Sequence, residues 1–395
     1  MKTSFDNLKQ LNTIIKLALA PNGEFNFNEL YDTLFCKFLN EMEQTNQDLV
    51  YHGEGNVLNH TKLVLENLVK LPEYVNSTND NKVVLFLAGL MHDVGKITRT
   101  KIENGRIVSP NHTYHSAIIT RNFLWKELGL AGSTKAQNLR ESVCFLIRYH
   151  SFPPFAIKSE NAEYKTLKIL ANGELFPWFF AKNLYALEKA DALGRICNDG
   201  GDFLNRVEYF KELCVDLGVY EKPFLFTNDY TKRAYFLGKT NYSKDNLYKN
   251  SWGEVILLSG LPGTGKDTFI SKNYPTLPVV SLDNIREELK ISPEGNQGKV
   301  IARAKELCKV YLRKKQPFIY NATNITSDLR SKQISLFEEY NASVKIIFLE
   351  TEYTENLKRN ANRKRVVPNS VIEKMLSRLE VPEIYESEKV EYIIT

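Results

Sequence analysis

The sequence has few cysteines and no long apolar run. Its five cysteines include no Cys-x-x-Cys pair, so they indicate neither a disulfide framework nor a structural zinc site. The longest apolar run, residues 83–91, is too short to cross a membrane. Charged and polar residues interrupt the first apolar positions, which argues against a signal peptide. We therefore expect a cytoplasmic protein without a membrane partner.

Histidine is absent after residue 150, and all six histidines lie within the first 150 residues. This asymmetry and the length of 395 residues predict two or three domains with different chemistry. Residues 1–205 show the apolar spacing of successive helices, whereas short apolar runs alternate with charged helical stretches in the last part. We predict a multidomain fold: an all-α domain (1–205), a connecting segment (206–250) and an α/β domain with a parallel sheet (251–395).

Residues 255–269 read VILLSGLPGTGKDTF. An apolar strand, a Gly-rich turn and a helical stretch predict a phosphate-binding loop, in which Lys266 reaches the β and γ oxygens of a nucleotide. Asp267 stands where Ser or Thr usually binds Mg²⁺, and a carboxylate suits the same cation, with Thr268 as the alternative ligand. The predicted nucleotide-binding residues are Gly260, Leu261, Pro262, Gly263, Thr264, Gly265, Lys266, Asp267, Thr268 and, further along, Arg359.

Two later stretches indicate a kinase. Asp283 follows a strand and Arg286 comes three residues later, so Asp283 can act as the base for a hydroxyl acceptor while Arg286 binds a phosphate. The alternative for Asp283 is a helix cap. A basic cluster near residue 360 contains no acid, which favours arginines that stabilise the transferred phosphoryl group. This basic cluster consists of Lys358, Arg359, Arg363, Lys364 and Arg365.

From residue 251 onward, these motifs and the run YNATN that ends at Asn324 resemble the 5′-hydroxyl polynucleotide kinases of the P-loop phosphotransferase superfamily. The resemblance implies an NTP donor, ATP or GTP, with Mg²⁺. It also implies that Asp283 is the general base and that Arg286, Arg363 and Arg365 hold phosphates. Asp267 departs from the pattern of that family.

The histidines of the first part have their own order. His92 and Asp93 are adjacent in AGLMHDVGK, His60 lies on an earlier predicted helix and Asp191 on a later one. Imidazole and carboxylate ligands that converge from several helices suit a transition metal, and an Asp beside a His can bridge two ions. A single histidine is commonly a core residue or a cap, and we keep that interpretation for His52.

Residues 50–206 resemble the HD phosphohydrolase superfamily of metal-dependent phosphoesterases. The resemblance implies one or two divalent transition-metal ions and a phosphate contact from Lys96. Extended members add two histidines, which we assign to His115 and His150, with His112 as the alternative to His115. The implied metal ligands are His60, His92, Asp93, His115, His150 and Asp191.

Together the two parts resemble bacterial bifunctional RNA end-healing enzymes. The resemblance implies removal of a 2′,3′-cyclic phosphate or a 2′- or 3′-phosphate and phosphorylation of a 5′-hydroxyl, on RNA or DNA ends, before an RNA ligase acts. Two alternatives remain: an HD nucleotidase fused to a small-molecule kinase, and a nucleotide-sensing regulatory module.

Overall fold

The computed structural model describes residues 4–198 and 200–395. The chain divides into two compact units, one ending at Phe224 and the other comprising Leu225–Thr395. No helix in the described residues combines the length and the apolar character that a membrane crossing requires.

The first unit is helical, with one short hairpin. Its helices are α1 (Ser4–Ala18), α2 (Cys36–Glu43), α3 (Val57–Leu68), α4 (Pro72–Val75), α5 (Asn79–Met91), α6 (Lys96–Arg99), α7 (His112–Lys126), α8 (Thr134–Tyr149), α9 (Pro153–Ala156), α10 (Ala162–Leu170), α11 (Ala181–Gly194) and α12 (Gly200–Asp216). The antiparallel hairpin pairs β1 (Lys101–Glu103) with β2 (Arg106–Val108). Short 3₁₀ turns cover Pro21–Gly23, Phe27–Asp32 and Ala171–Glu174.

Helix α5 is the centre of this unit. It contains the longest apolar run, is buried from Val83 to Met91, and packs against α3, α8 and α11. The Thr78 side chain caps α5 by accepting a hydrogen bond from the Asn81 N–H. Because α5 is apolar on all sides, other helices surround it. Polar residues on these neighbouring helices therefore lie close to the end of α5.

The second unit contains a five-stranded parallel sheet. Its strands lie in the order β4-β5-β3-β6-β7: β3 (Glu254–Ser259), β4 (Val279–Ser281), β5 (Phe318–Asn321), β6 (Ser343–Glu350) and β7 (Lys389–Ile394). The helices are α13 (Asp229–Phe236), α14 (Lys266–Asn273), α15 (Leu282–Leu289), α16 (Gln297–Arg313), α17 (Ser327–Glu339), α18 (Tyr353–Ala361) and α19 (Asn369–Leu376). The predicted fold class, a helical domain followed by an α/β domain with a parallel sheet, is confirmed.

The segment 206–250 contains secondary structure of its own. Helix α12 continues into it, α13 lies within it, and the division between the units falls inside it after Phe224. Its second half is tied to the α/β unit by ion pairs, with Arg233 Nε 2.8 Å from Glu338 Oε1 and Lys249 Nζ 2.5 Å from Glu388 Oε1. These side chains are mostly buried, so this half packs as part of the α/β unit.

Candidate active sites

Six side chains of the helical unit converge from five helices. His60 lies in α3, His112 begins α7 and Asp191 lies in α11, while His92 with Asp93 follows α5 and His150 follows α8. Five of the six are buried, and His112 is partly buried. We call His60, His92, Asp93, His112, His150 and Asp191 the HD cluster.

Asp93 is the centre of the HD cluster. Its Oδ2 lies 3.4 Å from His92 Nε2 and 3.8 Å from His60 Nε2, and its Oδ1 lies 3.3 Å from His112 Nε2. Lys96 Nζ is 2.7 Å from Asp93 Oδ2. Burial opposes ionisation of Asp93, yet the neighbouring Lys96 ammonium and His92 hold the pKa of this carboxyl well below its usual value. The carboxylate is therefore charged.

The backbone fixes the orientation of three histidine rings. His92, His112 and His150 each place Nδ1 against the carbonyl three residues earlier, at 2.8, 2.9 and 2.8 Å. Because a carbonyl only accepts, Nδ1 carries the proton and the Nε2 lone pair faces the cluster. Burial lowers the pKa of His112, and it lowers the pKa of His150 to about 3, so both rings stay neutral. Neutral imidazole is the form that binds metals.

The donor atoms fit a divalent transition metal. The Nε2 atom of His92 and the Oδ1 of Asp93 are buried without a hydrogen-bond partner, which is costly unless another ligand satisfies them. His60 Nε2 lies 2.9 Å from Asp191 Oδ1. Two overlapping sets of ligand atoms, His60/His92/Asp191 and His92/Asp93/His150, each lie within 4.8 Å of one another. A mixed imidazole and carboxylate set of this kind suits one or two such ions.

His115 does not join the HD cluster, contrary to the assignment made from the sequence. It lies three residues after His112 in α7, is only partly buried, and its ring contacts Tyr114. The structure brings His112 to Asp93 instead, so the alternative considered for this position is the one that the geometry supports.

Three residues beside the HD cluster were not predicted from the sequence. Gln47 Oε1 accepts a hydrogen bond from Lys96 Nζ at 2.6 Å, although it belongs to an irregular loop. Arg195 Nη2 pairs with Asp191 Oδ2 at 2.7 Å, and its spacing of four residues in one helical stretch could have revealed it. Glu188 is buried one turn before Asp191. Burial and the charge of Asp191 raise the pKa of Glu188 well above its usual value.

Glu54 joins His52 to the HD cluster. Its Oε1 lies 2.8 Å from His52 Nδ1 and 2.9 Å from His60 Nδ1, and its Oε2 accepts from the Ile196 N–H at 3.0 Å. Burial opposes its charge, but the contacts from His52 and His60 hold the pKa of Glu54 below its usual value. The residue therefore presents a charged carboxylate to His60 on the side away from Asp191.

In the α/β unit, the predicted phosphate loop connects β3 with α14. Gly260 has φ +146°, and a Cβ there would lie 2.4 Å from the Leu349 carbonyl oxygen, so only glycine fits. Gly263 has φ +88°. Lys266 Nζ donates to the Gly260 and Leu261 carbonyls at 2.9 and 2.8 Å. Burial lowers the pKa of Lys266 to about 8.

Other predicted loop residues shape the loop rather than face solvent. Leu261 and Thr264 are buried, and Thr264 Oγ1 donates to the Leu261 carbonyl. The Pro262 carbonyl accepts from Asn356 Nδ2 at 2.8 Å. Gly265 precedes α14 with φ +75°. Hydrogen bonds within the loop and from α18 therefore stabilise its conformation.

Asp267 and Thr268 lie in the first turn of α14 and both are exposed. Asp267 Oδ1 accepts a hydrogen bond from Asn321 Nδ2 at 2.7 Å, and Asn321 is the last residue of β5. No such contact to the sheet is present for Thr268 among the described residues. A carboxylate oxygen at the start of this helix suits Mg²⁺.

Asp283 lies in the first turn of α15 and does not cap that helix. The cap is Ser281, whose Oγ accepts from the Asn284 N–H. Arg286 Nη1 is 2.7 Å from Asp283 Oδ1, and Arg363 Nη2 is 3.8 Å from its Oδ2. The Asp283 side chain remains 59% exposed, so an acceptor hydroxyl can reach it.

The basic cluster reaches both the loop and α15. Arg359 Nη1 donates to Thr395 Oγ1 at 3.1 Å, and that hydroxyl donates to the Thr264 carbonyl. Arg365 Nη1 donates to the Asp283 carbonyl at 3.2 Å, and its Nη2 pairs with Glu287 at 2.6 Å. Arg359 is therefore linked to the phosphate loop through Thr395, and Arg365 contacts the helix that carries Asp283.

Comparisons with known proteins agree with this arrangement. An HD domain model matches residues 57–172, and an AAA domain model matches residues 255–382. The chain therefore contains a region similar to HD domains, followed by a region similar to AAA P-loop domains. L-seryl-tRNA(Sec) kinase from Methanococcus maripaludis is 28% identical over 136 residues, which cover 32% of this chain and 53% of that kinase, about half its length. A crystal structure described as a kinase from Chloroflexus aurantiacus is 17% identical, with 36% of this chain and 89% of that chain covered and a TM-score of 0.31.

Proposed function

We propose that this protein heals broken RNA ends: the P-loop kinase domain phosphorylates a 5′-hydroxyl, and the HD domain removes a 2′,3′-cyclic phosphate or a 2′- or 3′-phosphate. The observation that carries the proposal is the exposed Asp283 carboxylate, paired with Arg286 and approached by Arg363. A base flanked by guanidinium groups is what transfer to a hydroxyl acceptor requires.

In the kinase reaction, the loop N–H groups and Lys266 bind the β and γ phosphates of an NTP. Asp283 accepts the proton of the 5′-hydroxyl while the hydroxyl oxygen bonds to the γ phosphorus. The bond from the γ phosphorus to the bridging oxygen breaks, and the NDP leaves. Arg286 and Arg363 offset the negative charge on the transferred group. Mg²⁺ bound at Asp267 would neutralise part of the phosphate charge.

In the HD domain, His60, His92, Asp93, His112, His150 and Asp191 are the residues that would hold one or two divalent ions. A bound ion of this kind supplies Lewis acidity and an activated water. Lys96 is positioned beside Asp93 to bind a non-bridging phosphate oxygen. Backbone carbonyls direct the Nε2 atoms of His92, His112 and His150 at the cluster. Burial lowers the pKa of His112 and of His150, so these two rings stay neutral.

RNA is the substrate that explains both activities in one chain. Cleaved RNA carries a 5′-hydroxyl on one fragment and a 2′,3′-cyclic phosphate on the other, and the two reactions convert these ends into substrates for an RNA ligase. The name of the archaeal relative places its own acceptor on a tRNA, which supports an RNA acceptor here.

The test is an RNA oligonucleotide with both ends, incubated with ATP or GTP and divalent metal, and resolved for each terminus. We expect His92→Ala to abolish processing of the 3′ end and leave 5′ phosphorylation intact, and Lys266→Ala to do the reverse. Lys272→Ala in the same helix as Lys266 is the matched control. Equal turnover of free nucleosides and RNA would support the small-molecule kinase instead, and loss of both activities in either folded variant would refute two separate sites.

A further inference from the structure

Helix α16 carries an unusual excess of positive charge. From Gln297 to Lys315 there are seven basic residues and a single acid, Glu306, whereas the whole chain has a net charge of only +5. The basic residues are Lys299, Arg303, Lys305, Lys309, Arg313, Lys314 and Lys315.

The charge is concentrated on the exposed side of α16. Val300, Ala304, Cys308 and Leu312 form the buried stripe at intervals of four residues. At about 100° per residue, Lys299, Arg303, Arg313 and Lys314 lie opposite that stripe. Within the described residues, no salt bridge involves Lys299, Arg313 or Lys314. Acids balance two charges of the helix, since Arg303 pairs with Glu288 of α15 and Lys309 pairs with Glu306. The excess of basic over acidic residues on α16 remains.

The basic face begins beside the proposed acceptor site. Gln297, the first residue of α16, accepts a hydrogen bond from Arg286 Nε at 2.9 Å through its side-chain oxygen. Arg286 in turn pairs with Asp283, the proposed base. Helix α16 then runs for about 25 Å at ~1.5 Å per residue. A nucleic-acid chain whose 5′ end lies at Asp283 could therefore follow the positive charge along α16.

We infer that the exposed face of α16 binds the phosphate backbone of an RNA strand behind its 5′ terminus. The inference rests on the proposed kinase function and adds the surface that separates a polynucleotide from a mononucleotide acceptor. Contacts of this kind are electrostatic and independent of sequence.

The experiment uses the full-length protein with Lys299, Arg313 and Lys314 replaced by alanine. The control replaces three exposed lysines of the same unit, Lys239, Lys244 and Lys389. Lys389 begins β7 at the sheet edge opposite β4, against which α16 packs. Binding of a 5′-hydroxyl 20-nucleotide RNA is measured by fluorescence anisotropy at several salt concentrations, together with phosphorylation of that RNA and of a nucleoside 3′-monophosphate.

We expect the α16 variant to lose about 10²-fold in RNA affinity near ~0.1 M salt. The slope of log affinity against log salt should fall in magnitude by about 2, because each lost phosphate contact contributes ~0.7. The control triple variant should lose far less, and NTP binding and mononucleotide phosphorylation should stay unchanged. Equal affinities and slopes for the two triple variants would overturn the inference while leaving the kinase proposal intact. If the unmodified protein fails to phosphorylate any 5′-hydroxyl, the proposed function fails, and the salt-dependent binding still decides the role of α16.

Discussion

The Glu54→Gln substitution tests how the HD cluster is held. Glu54 Oε1 faces both His52 Nδ1 and His60 Nδ1, at 2.8 and 2.9 Å. A carboxylate in this position keeps the proton of His60 on Nδ1 and directs Nε2 toward the metal ligands. Glutamine has the same shape but removes the negative charge, and its amide nitrogen cannot accept a hydrogen bond. The single amide oxygen cannot replace both carboxylate oxygens, which serve the two histidines and the Ile196 N–H. His60 would then face an uncharged, weaker acceptor or an amide N–H in place of the carboxylate.

The expected loss of metal affinity can be taken from other proteins in which a carboxylate hydrogen-bonds to a metal-binding histidine. Removing the carboxylate behind a metal-binding histidine typically costs about 10–100-fold in metal affinity. At ~1.4 kcal/mol per factor of ten, this is about 1.4–2.8 kcal/mol of binding free energy. Complete loss of binding is not expected, because Asp93, Asp191 and the other histidines remain in place.

The assay is a titration of full-length protein with Mn²⁺ or Zn²⁺ in the presence of a competing chelator, with release of the 3′ phosphate as a second readout. Glu66→Gln is the matched control, because Glu66 is exposed on the same helix as His60. Glu54→Asp should recover part of the affinity. Unchanged metal affinity in a folded Glu54→Gln protein would refute the reasoning, and thermal unfolding of the metal-free variant shows whether the fold is kept. Kinase activity should not change.

Two further predictions concern the side chains next to the phosphates. Gln47→Ala should lower phosphoesterase kcat/KM by about 10-fold, since Lys96 loses a charge-assisted hydrogen bond. Gln44→Ala on the same loop is the control and should have no effect. Equal kinetics for the two variants would show that Gln47 does not contribute to the site. Asp267→Ala should raise the Mg²⁺ concentration needed for 5′ phosphorylation and Asp267→Ser should restore much of the rate. A Mg²⁺ titration in which only Thr268→Ala shifts the requirement would assign the metal to Thr268.

An apolar run in the sequence indicates where His92 and Asp93 lie. His92 and Asp93 directly follow the apolar stretch that became α5, so their burial at the end of a central helix could be expected. The parallel sheet was predictable for a similar reason, because β3, β5 and β6 are apolar runs separated by helical stretches. In both cases a continuous apolar run indicates which element is buried.

The choice between His112 and His115 depended on where a helix starts. The two residues are three positions apart, so they lie on neighbouring sides of α7, and spacing alone cannot distinguish them. Asn111 adopts φ +58°, which turns the chain into α7 and places His112 at its first position. There the His112 ring reaches both the Ser109 carbonyl and Asp93. A left-handed asparagine is a local event that apolar periodicity does not reveal.

Gln47 and Glu54 were missed because they belong to an irregular loop. This loop has no periodic pattern, and its shape is fixed by the isolated bridge between Asn46 and Asn56. Hydrogen bonds between positions far apart in sequence then bring it to the cluster, such as that from the Ile196 N–H to Glu54. Contacts of this kind depend on the tertiary structure, which explains why residue types common in loops gave no signal.

Asp267 shows how two separate sequence features combine in the folded protein. Residues Leu258 and Asn321 are partners in the parallel register of β3 and β5, so both strands end at the same edge of the sheet. That edge is where the phosphate loop begins, and the Asn321 amide donates to Asp267 there at 2.7 Å. A neutral hydrogen-bond donor offsets part of the charge that a carboxylate adds beside phosphates, and it orients one of its oxygens. Serine would need no such donor. The pairing therefore gives a physical reason why aspartate fits at a position where a hydroxyl is usual, and it brings Asn321, in the run YNATN, to the start of α14.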